Sequence, residues 1–411
     1  MNVLVIEPPL FMFEKFEKEA GRHDDKLYYV IKKTSKSKDE NILNLDIRDD
    51  FDVVVKYCEQ LNIDVIICIS EEYLLQASYL SECTGIFSVL TSDLVKNMRD
   101  KFLMKKIWTK ANILNASSIE YSESSIEEVQ SLNYPVIVKP NLGFSSSGVR
   151  LVHNLNELNS EILNIKMLNT LSTAISSEKI QPKILVEEFL CGDEYSADVI
   201  WQDGIPQFSK ILKKWIPQGN RFPDKLYHTI GEDEIDIETK ILQVVYQANR
   251  VLGMNNGATH TEVIVTKDDE IYVIETAARI GAGGIFSFIF EEKYGVEYLG
   301  LFYAIATNRR VDIKESMMLH EVDETLYYFS FDYPDYIDGT ICDIKGIDFL
   351  YEDKNIFERV FFKNKNDYIT TFASAEEYFL WILGKWPKNS SINALVERLV
   401  NLEKNIEIIV E

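Results

Sequence analysis

The stretch "TEVIVTKDDEIYVIE", Thr261 to Glu275, constrains this chain more than any other. Two β-branched arms flank Lys-Asp-Asp-Glu, residues that favour a turn, so the stretch reads as a β-hairpin about Asp268–Asp269. In that register Lys267 faces Glu270, Val265 faces Tyr272 and Glu262 faces Glu275. A symmetric lengthening of the loop leaves the pairing intact. Directly opposed residues have Cβ atoms about 4.5–5.5 Å apart, and like charges there are destabilising. The register puts Ile264 and Val273 on the glutamates' face and Val263 and Ile274 on the other. Both faces are therefore apolar, and two unpaired carboxylates between them are costlier still.

Two arrangements relieve that cost: one glutamate is protonated, or cations lie between the two. Hard oxygen ligands at this spacing suit Mg²⁺, which keeps several waters and is shared with substrate phosphates. An edge hairpin with both carboxylates in water is the purely structural alternative. Immediately after Glu275 the chain reads "TAARIGAGG", bringing Arg279 and then Gly283 and Gly284 close to the carboxylate pair. His260, two residues before Glu262, shares its face on a strand and is a candidate for substrate contact or proton acceptance, or for plain packing.

The rest of the chain supplies basic and glycine-rich partners. "YPVIVKP" is a strand ending on Lys139, followed by "NLGFSSSG", in which Gly143 and Gly148 bend the backbone and Ser145, Ser146 and Ser147 add hydroxyls. Such a flap can cover phosphates as a nest of amides does, although its spacing differs from a Walker-type loop. "TSDLVKNMRDKFLMKKIWTKANI" reads as one helix capped by Thr91 or Ser92, carrying Lys101, Lys105 and Lys106. In "VEEFLCGDE", the acceptors Glu187 and Glu188 adjoin Phe189 and Leu190, with Glu194 after a turn, a combination suited to an adenine amino group and ribose hydroxyls. Lys213, Arg221 and His228 fall in a lysine-rich segment that could meet a substrate carboxylate but reads first as a solvated loop.

The composition sets bounds. A length of 411 residues, 46% of them hydrophobic, suits a globular chain of two to four lobes. The net charge of −23 argues against a nucleic-acid or anionic-membrane binder, but a local lysine cluster can still hold a polyanionic small ligand. Five scattered cysteines without paired spacing point to a reducing compartment and no structural zinc. No signal-like start and no membrane-length apolar run are present, so a cytosolic, soluble protein is expected. "NVLVIE" and "IDVIICIS" suit buried parallel strands of a first α/β lobe, which has no glycine-rich nucleotide fingerprint after its first strand.

Taken in order, Lys101, "VIVKP" with its flap, "VEEFLCGDEYSADV", "HTEV" and "IETAAR" resemble the ATP-grasp superfamily, and within it the L-amino acid ligases of the bacilysin-synthetase kind. "DGTICDIKGID" resembles the start of their C-terminal subdomain. The resemblance implies an α/β ATP-grasp fold with a Rossmann-like first domain over 1–95. An ATP-grasp domain would follow over 96–310, with a flap lobe at about 113–195, then a C-terminal subdomain over 311–411.

Roles follow from the same resemblance. Lys101 and Lys139 would hold the α- and β-phosphates of ATP, and residues 143–148 would form the flap. Glu187 and the Phe189–Leu190 backbone would form the adenine hinge, with Glu188 beside them in the nucleotide site, and Glu194 would accept the ribose. Glu262 and Glu275 would ligate Mg²⁺, or Mn²⁺ in its place, while Arg279 would stabilise the transferred phosphoryl group. Gly283 and Gly284 would let the backbone approach the substrate. The implied activity joins a carboxylic acid to an amine, both amino-acid-like, through an acyl-phosphate; a homodimer is left open.

One departure concerns the metal: many ATP-grasp enzymes have Glu-x-Asn where this chain has Ala277, so a second cation would have fewer protein ligands. A regulatory ATP-binding module without chemistry, or a ligase of the purine-pathway or biotin-carboxylase branch, is the competing expectation.

Overall fold

The computed structural model describes residues 1–32, 40–143, 148–175, 183–216, 224–313, 323–334, 337–369 and 378–411. The sequence-selected Ser145, Ser146, Ser147 and Arg221 lie outside the described residues.

Short β-branched runs at the start build a parallel sheet in the order Ile42–Asn44, Lys26–Ile31, Asn2–Ile6, Val65–Cys68. Residues of its strands are buried on both faces, as a sheet covered by helices requires. Glu7, Lys32 and Glu71 all follow the carboxyl ends of these strands, the edge at which open α/β sheets present ligands.

A small antiparallel sheet, Ser118–Glu120, Ile184–Glu188, Val136–Pro140 and Arg150–Val152, has its own core. Val136, Val138 and Val186 pack there against Leu158 and Ile162 of the following helix. Its strand Val136–Pro140 delivers Lys139, and the adjacent Ile184–Glu188 delivers Glu187; Lys139 pairs with Leu185 and Ile137 with Glu187.

Among the described residues the largest sheet has eight antiparallel strands. It runs from Ile271–Ala277 through Gly257–Thr266, Gly192–Gln202, Ile205–Trp215 and Leu226–Thr229 to Leu326–Pro334, Tyr378–Pro387 and Ile356–Phe361. Within the described residues the two ends of the segment expected to be a solvated loop are strand: Lys213 and Lys214 pair with His228 and Tyr227 inside this sheet. The C-terminal strands extend the same sheet, and a further three-stranded sheet packs beside the helix Ile392–Glu403.

Two expectations need correction. The helix beginning at Ser92 does not run through Lys101. Asp100 adopts extended φ/ψ (−81°, 99°), and its carboxylate accepts from the backbone N–H of Phe102 and Leu103, ending Ser92–Arg99 and capping Lys101–Lys110. Lys101 therefore opens a helix.

The hairpin turn is also longer than a two-residue loop. Near the turn Val263 faces Val273 and Val265 faces Ile271, one residue out of the expected register. A bulge between Glu262 and Val263 restores it, so that Glu262 still faces Glu275. Consequently Val263 and Val273, both fully buried, face the core together, while Ile264 and Ile274 lie on the wall of a cavity beside the glutamates. Val273 was expected on the glutamates' face and Ile274 on the other; the bulge exchanges them.

On the pair next to the glutamates, Thr261 and Thr276 are opposed with hydroxyls 2.8 Å apart. Asn249 from the helix Ile235–Leu252 donates to Thr261 Oγ1 and accepts from Thr276 Oγ1, each at 2.9 Å. All three residues are buried, and this closed network pins the register where the carboxylates stand.

Candidate active site

Lys101, Lys139, Gly143, Glu187, Glu188, Phe189, Leu190, Glu194, Glu262 and Glu275 line one cavity of about 250 Å³ between the small antiparallel sheet and the hairpin. Gly148 lies just outside its wall, next to Val149, which is part of it. The sequence therefore selected residues from five separate segments that the fold brings to one place.

Lys101 is buried; its Nζ lies 3.1 Å from Glu275 Oε2 and donates to the Gly143 carbonyl at 2.9 Å. Lys139, also buried, lies 2.9 Å from Glu187 Oε2. The other oxygen of Glu187 is 3.4 Å from the Nζ of Lys105, so one carboxylate is shared by two lysines. Burial pushes the Lys105 ammonium down to about 8, against the pull of Glu187. Burial would lower Lys139 as well, but Glu187 and Glu275 outweigh it and hold its pKa above the ordinary lysine value. Glu194 pairs with the wholly buried Lys214 at 2.9 Å, and Lys214 reaches Asp224 at 2.8 Å. Glu188 is exposed and accepts from the Ser117 N–H, away from this cluster.

The glutamate pair is asymmetric. Burial, reinforced by Glu275, pushes the Glu262 carboxyl up to about 7. Burial acts on Glu275 in the same direction, but Lys101 and Lys139 overcome it and hold that carboxyl below its ordinary value. With protein groups alone, one glutamate of the pair retains a proton near neutrality, the first of the two ways to relieve their repulsion. Side chains that are 18% and 27% exposed, with oxygens facing a cavity, also fit a cation shared with a ligand. Among the described residues no group of three or more His, Cys, Asp and Glu side chains forms a protein-only cage, so such a cation would depend on oxygens from the ligand.

Glu262 and Glu275 also line a second cavity, of about 530 Å³, together with His260, Arg279 and Gly283. Its far wall comes from the carboxyl end of the parallel sheet, with Glu7, Ser70 and Glu71, and its flank carries Phe286, Phe362, Tyr378 and Trp381. Arg279 Nε donates to Glu71 Oε2 at 2.8 Å, and its Nη1 donates to the Ile280 carbonyl at 3.1 Å. His260 is buried; its Nδ1 lies 3.2 Å from Asp198 Oδ2, while Asp198 Oδ1 accepts from the Gly281 N–H at 2.9 Å. Burial alone would lower the imidazole's pKa, but Asp198 more than compensates and raises it. Its Nε2 is 3.9 Å from Glu262.

The glycine segment closes tightly around this site. A Cβ on Gly281 would stand 2.3 Å from Asp198 Oδ1, and one on Gly284 would stand 2.5 Å from Met12 Sδ. Gly283 lies on the cavity wall, with φ +60°, whereas Gly284 lies behind it against Met12.

Sequence reasoning missed Lys105, Lys214, Asp198, Asp224 and Glu71. Lys105 carried a signal, since it stands one helical turn after Lys101. Lys214 carried none that separates it from Lys213, whose Nζ turns instead to Asp193 at 2.9 Å and Glu234 at 3.2 Å. His228 is buried with its Nδ1 against the Thr229 carbonyl, outside both cavities.

Residues 132–287, the span that holds both strands of the hairpin and most of the first cavity, match the family described as "ATP-grasp domain". Over that span this chain is similar to ATP-grasp domains. Solved structures agree on the fold: an L-amino acid ligase from Bacillus licheniformis superposes with a TM-score of 0.80 at 21% identity, covering 100% of this chain and 98% of that one. Among curated proteins, the D-alanine–D-alanine ligase of Pediococcus pentosaceus is 28% identical over 43% of this chain and 48% of its own length. The alanine–anticapsin ligase of Bacillus subtilis is 23% identical over 73% of this chain and 64% of its own length. The chain thus spans about half to just under two thirds of the length of these curated relatives. Among the described residues, no helix is long and apolar enough to cross a membrane.

Proposed function

We propose that this protein is an ATP-dependent carboxylate–amine ligase that joins two amino acids or amino-acid-like substrates through an acyl-phosphate. One observation carries the reading: Glu262 and Glu275 belong to both cavities. A nucleotide in the first cavity and a carboxylic acid in the second would meet at that pair, where phosphoryl transfer needs its charge neutralised. The named ligases among the relatives, which include one that joins alanine to anticapsin, support the same reaction class.

In this reading the first cavity takes ATP. Lys101 and Lys139 balance phosphate charge, Phe189 and Leu190 flank the adenine, and Glu194, held by Lys214, accepts ribose hydroxyls. Glu262 and Glu275 would hold a Mg²⁺, which would neutralise phosphate charge and lower the electrostatic cost of transfer. The acid's carboxylate oxygen attacks the γ-phosphorus, and the bond to the β-phosphate oxygen breaks to leave ADP. The amine nitrogen then attacks the acyl carbon, the carbon–oxygen bond to phosphate breaks, and the amine gives up a proton. Splitting the reaction this way replaces a poor leaving group by phosphate, and the protein's part is positioning and charge stabilisation. Arg279 is the group we assign to the transferring phosphoryl. His260, oriented by Asp198, stands beside the same space.

A screen of amino-acid pairs for ADP and phosphate formation, with mass spectrometry of the product, tests the proposal. ADP formation that needs both an acid and an amine, with one amide per phosphate, is the expected result. ATP binding with no dependence on any pair would favour a regulatory module, and dependence on bicarbonate would favour another ligase branch.

A further inference from the structure

Arg279 belongs to the hairpin side of the second cavity, but the carboxylate that holds it comes from the first lobe. Glu71 begins the short 3₁₀ turn Glu71–Tyr73, just beyond the carboxyl end of the strand Val65–Cys68. Its Oε2 accepts from Arg279 Nε at 2.8 Å, with the two side chains only 12% and 14% exposed. The turn is itself tied down, since Arg99, the last residue of the helix Ser92–Arg99, donates from Nη1 to the Glu71 carbonyl at 2.8 Å.

A guanidinium is planar, so two of its nitrogens fix the direction of the third. Nε is held by Glu71 and Nη1 by the Ile280 carbonyl. Nη2 makes no hydrogen bond to a described residue and remains the donor for a group in the cavity. Arginine has several rotatable bonds, and without the Glu71 contact its backbone attachment alone would leave the head group free to swing.

We infer that Glu71 is a positioning residue for Arg279, so that the first lobe sets the aim of the arginine that meets the transferring phosphoryl group. The inference rests on the role proposed above for Arg279. It adds that a residue more than 200 positions away in sequence, on a lobe outside the matched span 132–287, is needed to complete that role. Glu71 acts here through the arginine and needs no contact with substrate or nucleotide of its own.

A double-mutant cycle tests this, using amino-acid-dependent ADP formation by the full chain. Glu71→Ala should lower kcat by on the order of 10- to 100-fold, the scale of a misaimed catalytic group. The KM for ATP should stay within about threefold. Glu71→Gln, which keeps an acceptor oxygen, should recover most of that loss, whereas Glu71→Asp, one methylene too short, should recover little. In the Arg279→Ala background, Glu71→Ala should add almost nothing. Thermal melts identify the folded variants, and Glu71→Gln and Glu71→Asp keep the comparison usable if the alanine variant unfolds. Losses that multiply in the double variant would overturn the inference, because Glu71 would then act independently of Arg279. A rise in kcat on removing Glu71 would also overturn it, by making the carboxylate a competitor for the arginine. An Arg279→Ala variant with near-normal turnover would instead remove the reading of Arg279 on which the inference stands.

Discussion

Glu262 and Glu275 face each other across adjacent antiparallel strands, and the Lys101 ammonium lies 3.1 Å from Glu275. Arg279, four residues after Glu275, turns away from that cluster to Glu71. This separation predicts different losses for the two positions. Glu275→Ala should weaken both ATP·Mg²⁺ binding and turnover, because the proposed metal ligand and the partner of Lys101 disappear together. Arg279→Ala should leave ATP affinity within a few-fold and cut turnover by roughly 100-fold or more, the scale of one lost electrostatic stabiliser. Calorimetry and steady-state kinetics on both variants, with circular dichroism as the folding check, separate the two. Equal damage to nucleotide binding in both would contradict the division of labour.

Lys139 should be required for the nucleotide. Hydrogen bonds to charged groups contribute about 1.5–3 kcal/mol, so Lys139→Met should raise the Kd for ATP at least tenfold. The substitution also removes one of the two lysines on Glu187, and Lys105 at 3.4 Å remains to keep that carboxylate paired, so the fold should survive. Unchanged affinity in a folded variant would dismiss the first cavity as the nucleotide site.

How much of this was legible in the sequence depends on what each feature required. The direct opposition of Glu262 and Glu275 followed from counting outward from the turn, yet the count succeeded through two departures that cancel at the glutamates. The turn is longer than assumed, and the bulge beside Glu262 takes up the difference. The faces of Val273 and Ile274 came out exchanged for that reason. Asp100 had the chemistry of a cap, but a helix period carried through Lys101 and hid the break. Glu71 and Asp198 were not legible at all, because their partners, Arg279 and His260, lie 208 and 62 residues away. The packing of the parallel sheet against the hairpin brings Glu71 to Arg279, and the pairing of Gly192–Gln202 with Gly257–Thr266 sets Asp198 opposite His260.

Stability should fall as pH rises through neutrality, in part because of Glu7. Burial pushes its carboxyl up to about 7; the Lys32 N–H, Arg48 and Lys32 oppose this and Asp46 reinforces it. An acid whose folded pKa is raised is protonated more readily in the folded state. Its contribution is therefore complete below the unfolded value of about 4.5 and is lost as pH climbs to about 7. Because Glu7 is only partly buried, solvent screening keeps the loss to ~1 kcal/mol. Glu7→Gln cannot ionise, so its melting temperature should decline less than that of the parent between pH 5 and pH 8. Calorimetric scans at both pH values, giving parallel declines for the two proteins, would dismiss this assignment.

The central claim is an acyl-phosphate formed where the two cavities meet, and an isotope transfer tests it most directly. With the best substrate pair from the screen, the acid is supplied with its carboxylate labelled by ¹⁸O, and the phosphate released is read by mass spectrometry. The attacking carboxylate oxygen becomes the bridge to phosphorus and leaves with phosphate when the amine arrives. The account therefore predicts one ¹⁸O atom in each inorganic phosphate formed with amide. Label found in AMP, or phosphate released without label while amide accumulates, would contradict it.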